Sequence, residues 1–377
     1  MRVESIELFW IKIPLVGQFT TSFGTTTERE ILLVKVNADG ASGWGESGAD
    51  GLPMYSYETA RTGWHIIEDF LAPVVLDEEW PDKGLAAAYA RKFSSWRWHP
   101  MARCAVEEAL WVLDAQRQDV SLQSLYANGR SIRDQIPVGI SLGIEDDFEV
   151  LAEKITAGIE QGYQRIKLKI EPGRDVAIVE PVRDRFGDIP LMVDANCGYR
   201  NDPDALGSLK ALDGFNLLMI EQPLAHDDID GNAPIQAELE TPICLDESIH
   251  SAHHAAHAIE IEACRLVNIK ASRIGGRAAA IAIHDLCAAR EIPVWCGGML
   301  ESGVGRLHNI SMASLPNFQM PGDLSASKRY WQEDIIDPWV EIDNEGLVTV
   351  PNTVGLGHAV LEERIRKHLI RYEKFSL

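Results

Sequence analysis

From Ile136 onward the sequence repeats one pattern, a short apolar, β-rich run followed by a stretch with helical periodicity. That alternation is the mark of βα units around a parallel sheet, and it sets aside most other folds before any single residue is weighed. Eight runs are read: Ile136–Ser141, Arg165–Ile170, Pro190–Asp194, Leu217–Glu221, Pro242–Asp246, Leu266–Lys270, Pro293–Cys296 and a weaker one at Phe318–Met320. In the first intervening helix Phe148, Leu151, Ala152, Ile155 and Ile159 share a face, and Gly162 can end it. Eight such units within about 190 residues match a (β/α)8 barrel in an α/β protein. A doubly wound sheet would carry a Gly-rich phosphate turn after an early strand, and none is read here.

On either side of the barrel the rhythm changes. Residues 1–130 start with strand-like stretches at Val3–Ile13, Ile31–Val36 and Gly43–Glu46. A helix then begins at Pro100 and aligns Ala102, Ala105, Val106, Ala109, Leu110 and Leu113 on one face. This reads as an α+β capping domain, with Trp96 and Trp98 expected in its core. The barrel is assigned to residues 131–330. The tail, 331–377, is expected to return to the cap, with Gly346–Val350 as the strand that pairs with the N-terminal layer.

Charge narrows the partners. Across 377 residues, 35 Lys and Arg face 57 Asp and Glu, a net charge of −22, and no basic cluster offsets it. Such a field repels phosphate backbones and anionic lipid, so neither nucleic acid nor a membrane surface is an expected partner. The six cysteines are scattered without C-x-x-C spacing and read as small buried hydrophobes in a reducing compartment. With no export signal and no run of 18 apolar residues, a cytoplasmic location is expected.

The chemistry sits at the far ends of the apolar runs, where a barrel presents side chains to its active-site face. From Lys169 to Asp194 is 25 residues, then 27 to Glu221, 25 to Asp246 and 24 to Lys270, so each step is about one βα unit. One acid or lysine in such a place reads as an ordinary ion pair, but five in register do not. Asp194, Glu221 and Asp246 on three consecutive strands would repel one another unless a cation neutralised them. All-oxygen ligation suits Mg2+, with Mn2+ as a substitute, and no His or Cys stands at an equivalent end to favour zinc. Lys169 and Lys270 fall on strands two and six, opposite walls of the barrel, and can exchange protons with the two faces of a carboxylate substrate. That role asks for amine pKa values lowered by burial and nearby cations, and Lys167 is one such cation, on the same side of its strand.

These residues stand in recognisable motifs: Ile166-Lys167-Leu168-Lys169, Val193-Asp194-Ala195-Asn196, Ile220-Glu221-Gln222-Pro223, Leu245-Asp246-Glu247-Ser248 and Asn268-Ile269-Lys270. Together they resemble the muconate-lactonising group of the enolase superfamily. Thr21-Ser22-Phe23-Gly24-Thr25, Trp295-Cys296-Gly297-Gly298-Met299-Leu300-Glu301 and Pro321-Gly322-Asp323-Leu324-Ser325-Ala326-Ser327 are similar to its o-succinylbenzoate synthase and N-succinylamino acid racemase subfamily. The resemblance implies proton abstraction α to a carboxylate, an enediolate stabilised by Mg2+, and then loss of hydroxide or reprotonation from the other face. It implies Lys169 as base with Lys270 opposite, and Asp194, Glu221 and Asp246 on the metal. Lys167, Ser141, Asn196, Phe19, Phe23 and Met299 are expected at the substrate, Glu247, Arg273 and Glu301 in support, and the protein is expected to be a homo-oligomer. Two departures from the subfamily are visible: Gln18-Phe19-Thr20 replaces the Pro-Phe-Arg that precedes Thr-Ser-Phe-Gly, in the loop expected to close over substrate, and Lys270-Ala271-Ser272-Arg273 replaces Lys-Pro-Gly-Arg.

Overall fold

Alternating apolar residues pair the N-terminal segment into three antiparallel strands in the computed structural model, which describes residues 1–21 and 24–376. These are β1 (Ser5–Thr21), β2 (Gly24–Ala38) and β3 (Ala41–Ser47). The helix Pro100–Arg117 lies directly on β3. Gly43 and Gly45 permit that approach, because a Cβ at either would lie 1.9 or 2.0 Å from the carbonyl oxygens of Ala109 and Ala105. Here the structure corrects the sequence reading. Gly43, Gly45 and Gly48 do have the spacing of a phosphate-binding turn, yet Gly43 and Gly45 sit inside an antiparallel strand and serve helix packing.

The βα units build a seven-stranded parallel sheet. After the short β4 (Gln135–Pro137) it comprises β5 (Ile140–Leu142), β6 (Ile166–Lys169), β7 (Leu191–Asp194) and β8 (Ile220–Glu221), then β9 (Ile243–Leu245), β10 (Leu266–Ile269) and β11 (Val294–Cys296). Its strands lie side by side in chain order. The eighth run forms no strand, being cut short by Pro321-Gly322, and closes the ring through single parallel bridges from Phe318 to Val294 and from Gly322 to Val138. The fold is thus a TIM-type α/β barrel with a capping domain. The first barrel helix, Phe148–Glu160, buries Leu151, Ala152 and Ile155 but leaves Ile159 41% exposed.

Two expectations for the cap are corrected. After β12 (Ile336–Asp337), β13 (Leu347–Thr349) pairs with β4 beneath the barrel, and not with the N-terminal layer. β14 (Ala359–Val360) pairs with β12, and the strand that returns to the cap is β15 (Leu369–Ser376), on the free edge of β1. That edge needs a partner for about seven residues, from Ser5 to Ile11, which β15 can match and the three residues of β13 cannot. Trp96 and Trp98 are also not core residues. Left-handed backbone at Trp98 and His99 (φ 67° and 52°) turns the segment outward, leaving Trp98 69% exposed, while Trp64, Trp80, Tyr89 and Phe93 fill the cap.

Polar side chains dock the cap on the barrel. Glu46 of β3 accepts from Ser302 N and Gly305 N, each at 2.9 Å, and from Ser302 Oγ at 2.5 Å, capping the helix Gly303–Ala313 across the interface. Arg277 Nε donates to Glu108 Oε1 at 2.9 Å from the opposite side. Among the described residues no helix is long and apolar enough to cross a membrane.

Candidate active site

The five residues in register occupy equivalent places at the carboxyl ends of the strands. Lys169, Asp194 and Glu221 close β6, β7 and β8, with Lys169 paired to Asp194 and Asp194 to Glu221 in the ladder. Asp246 and Lys270 each follow their strand, β9 and β10, by one residue. All are buried. Three strands separate β6 from β10 along the sheet, so the two lysines face each other across the barrel with the carboxylates on the arc between them.

Each acid is turned onto a cation of the chain itself. Lys169 Nζ donates to Asp194 Oδ2 at 2.5 Å and to Asn196 Oδ1 at 2.6 Å. Lys167 Nζ donates to Glu221 Oε2 at 3.1 Å, and Lys270 Nζ to Asp246 Oδ2 at 2.7 Å. Arg273 donates to the other oxygen of Asp246 and to Tyr55 Oη, the latter at 3.0 Å. Asn196 Nδ2 in turn donates to Glu247 Oε1 at 2.9 Å, leaving Glu247 Oε2 buried without a partner. In this arrangement no group of three or more His, Cys, Asp or Glu side chains among the described residues is set to hold an ion.

These contacts fix the direction of each titration. Burial opposes ionisation of Asp194, but Lys169 and Lys167 overcome it and hold the carboxyl below the usual range. Burial, and then the charge of Asp194, raise both Glu221 and Glu247. Lys270 departs from the lowering that the sequence reasoning asked of a proton carrier. Burial alone would lower it, but Tyr55, Glu247, Glu221 and Asp194 outweigh that and raise it. Lys167 is likewise raised, its burial outweighed by Asp323, Glu221 and Asp194.

Between cap and barrel mouth lies a cavity of about 510 Å³ that both lysines line, together with Asn196, Met299 and Phe19. Gly297 keeps room beside it, since a Cβ there would lie 2.6 Å from Lys270 Cε. Ser141 and Lys167 do not line this cavity. Their side chains point to Asp323, with Ser141 Oγ 2.8 Å and Lys167 Nζ 2.7 Å from its oxygens. Glu301 lies behind Met299, accepting from its N–H at 3.0 Å. Phe23 lies outside the described residues.

Sequence reasoning missed three contributors. Tyr55 comes from the cap, and its ring lies 4.6 Å from Lys270 Nζ. Asn268 Nδ2 donates to Glu221 Oε1 at 2.7 Å while its Oδ1 accepts from Gly297 N. It stands two residues before Lys270, and that period-two offset was the available signal. Asp323 was quoted within a motif but given no role.

Two family models match the chain: "Mandelate racemase / muconate lactonizing enzyme, N-terminal domain" over residues 6–126 and "Enolase C-terminal domain-like" over 150–364. An o-succinylbenzoate synthase from Geobacillus stearothermophilus is 47% identical, aligned over 100% of this chain and 97% of its own. An N-succinylamino acid racemase from an Amycolatopsis species is 44% identical over 96% of both chains. Among solved structures, an enolase-superfamily protein from Listeria innocua superposes with a TM-score of 0.93 at 36% identity, covering 100% of this chain and 99% of that one.

Proposed function

Because the chain belongs to the enolase superfamily, in its mandelate racemase / muconate lactonizing enzyme branch, we propose that it removes a proton α to a carboxylate in the manner of its o-succinylbenzoate synthase relatives. The observation that carries this reading is the pair of buried lysines on opposite walls of one cavity, with three carboxylates on consecutive strands between them. The substrate is the succinyl-hydroxycyclohexadiene carboxylate of menaquinone biosynthesis, which loses water.

Asp194, Glu221 and Asp246 would hold a divalent cation, Mg2+ with Mn2+ as its substitute. The donors fit, being buried, hard oxygen ligands from adjacent strands, with the unpartnered Glu247 Oε2 as a further carboxylate oxygen nearby. Bound there, the cation supplies the positive charge that lets the substrate carboxylate carry a second negative charge. The formal charge of the site agrees. Five acids (Asp194, Glu221, Asp246, Glu247, Asp323) meet five bases (Arg165, Lys167, Lys169, Lys270, Arg273), so 5 − 5 = 0. A dication held there would therefore balance the two negative charges of the deprotonated substrate carboxylate.

In this reading Lys169 Nζ, when neutral, takes the α-proton from one face and returns a proton to the departing hydroxyl, so that the C–O bond breaks and water leaves. Lys270, on the opposite wall, stabilises the anion as a cation. The same opposition favours a second reaction, inversion of an N-succinylamino acid, in which Lys270 reprotonates the far face, as the name of the Amycolatopsis relative suggests.

Both substrates should be offered to the purified enzyme with Mg2+, the amino-acid derivative in D2O. Lys270→Ala should still exchange the α-proton of one enantiomer through Lys169 without inverting it, and Lys169→Ala should show the opposite selectivity. Exchange of both enantiomers by both variants would exclude the lysines as bases and end this reading.

A further inference from the structure

Asp323 follows the run that closes the barrel, just past Pro321-Gly322, with its backbone N–H on Cys296 O at 2.9 Å and its side chain 6% exposed. Oδ1 accepts from Ser141 Oγ at 2.8 Å and from Arg165 Nη2 at 2.6 Å. Oδ2 lies 2.7 Å from Lys167 Nζ, which is nearer to it than to Glu221 Oε2 at 3.1 Å or Asp194 Oδ2 at 3.5 Å. The Trp295 ring lies beside both cations, 5.1 Å from the Arg165 guanidinium and 4.8 Å from Lys167 Nζ. Charge thus alternates through the barrel interior, from Arg165 to Asp323 to Lys167 to Glu221.

We propose that Asp323 is a positioning residue that draws the Lys167 ammonium toward itself and so limits its hold on Glu221 and Asp194, leaving these two carboxylates available to a divalent cation. This rests on the reading of Asp194 and Glu221 as metal-holding residues. An ammonium is a compact charge with rotatable donors, and it settles on whichever carboxylates surround it. Here the nearest one lies outside the metal set. In an Asp323→Asn variant the amide oxygen keeps Ser141 and Arg165, and the amide nitrogen faces Lys167 Nζ, donor against donor. Lys167 then moves onto Glu221 and Asp194, where it competes with the metal as a fixed internal cation.

The test is Mn2+ binding to the full, substrate-free chain, by calorimetry and by the electron paramagnetic resonance of free Mn2+. Asp323→Asn should weaken Mn2+ binding on the order of ten- to a hundredfold, the range found when groups that orient metal ligands are removed. Lys167→Met should bind Mn2+ at least as tightly as wild type. Adding Asp323→Asn to Lys167→Met should cost little more, because the charge being positioned is gone. A merely structural role would make the loss persist in that background, and either this result or wild-type affinity in Asp323→Asn overturns the proposal. Should Asp323→Asn fail to fold, Lys167→Met decides alone, with weakened Mn2+ binding as the overturning result. Absence of Mn2+ binding by wild type is a distinct outcome, which overturns the metal reading itself and the proposal with it.

Discussion

Acid should loosen the cap from the barrel through His308. Its Nε2 lies 2.9 Å from Trp44 O, which can only accept, so that nitrogen carries the proton and Nδ1 accepts from Tyr126 Oη at 2.7 Å. Protonation of Nδ1 removes the bond from Tyr126, which lies on the cap helix Leu122–Ala127 while His308 lies on the helix Gly303–Ala313, so the bond lost in acid crosses the domain interface. Burial, assisted by Arg277 and opposed by Glu108, lowers the ring's pKa from 6.5 to about 4. A histidine lowered in the fold is protonated first in the unfolded chain. Its contribution is therefore complete above the ordinary pKa and is lost as pH falls toward 4. With these two values the loss is about 2 kcal/mol at pH ~5 and approaches ~3 kcal/mol at lower pH. The assay is urea unfolding of wild type and His308→Gln at pH ~7.5 and ~5, since glutamine keeps a donor and an acceptor but does not titrate. Wild type should lose about 2 kcal/mol more than the variant between the two pH values. Other histidines, His250 among them at about 4, contribute equally to both proteins. An equal loss in the two would refute the argument.

Exhaustive chelation should abolish turnover, and added Mg2+ or Mn2+ should restore it; full activity in metal-free protein would remove the metal from the reaction. Glu221→Gln should weaken metal binding while far-ultraviolet circular dichroism stays unchanged, because a strand-end side chain facing the site contributes little to the hydrophobic core. Phe19 lines the cavity from the cap, so Phe19→Ala should change KM between acyl groups more than it changes proton exchange on bound substrate. Equal losses for every substrate would assign that ring a structural role.

Periodicity alone was enough to read the barrel and the strand ends that carry its buried charges, because both depend on local order. A βα unit has a nearly constant length, so the intervals between Lys169, Asp194, Glu221, Asp246 and Lys270 already carry their common position on one rim. The family motifs added roles to those positions. Pairing across long stretches of chain was not legible in the same way. Which C-terminal strand returns to the cap depended on the length of the open edge of β1, and the eighth run was bridged without becoming a strand. Tyr55 reached the site from a cap loop, 191 residues from Asp246 in sequence, and Asp323 met Ser141 across 182. No sequence interval encodes such contacts. The charge on the lysines was likewise decided in three dimensions. Residue type supplies the amine, but the number of buried oxygens packed around it sets which way its pKa moves, and at Lys270 they moved it upward.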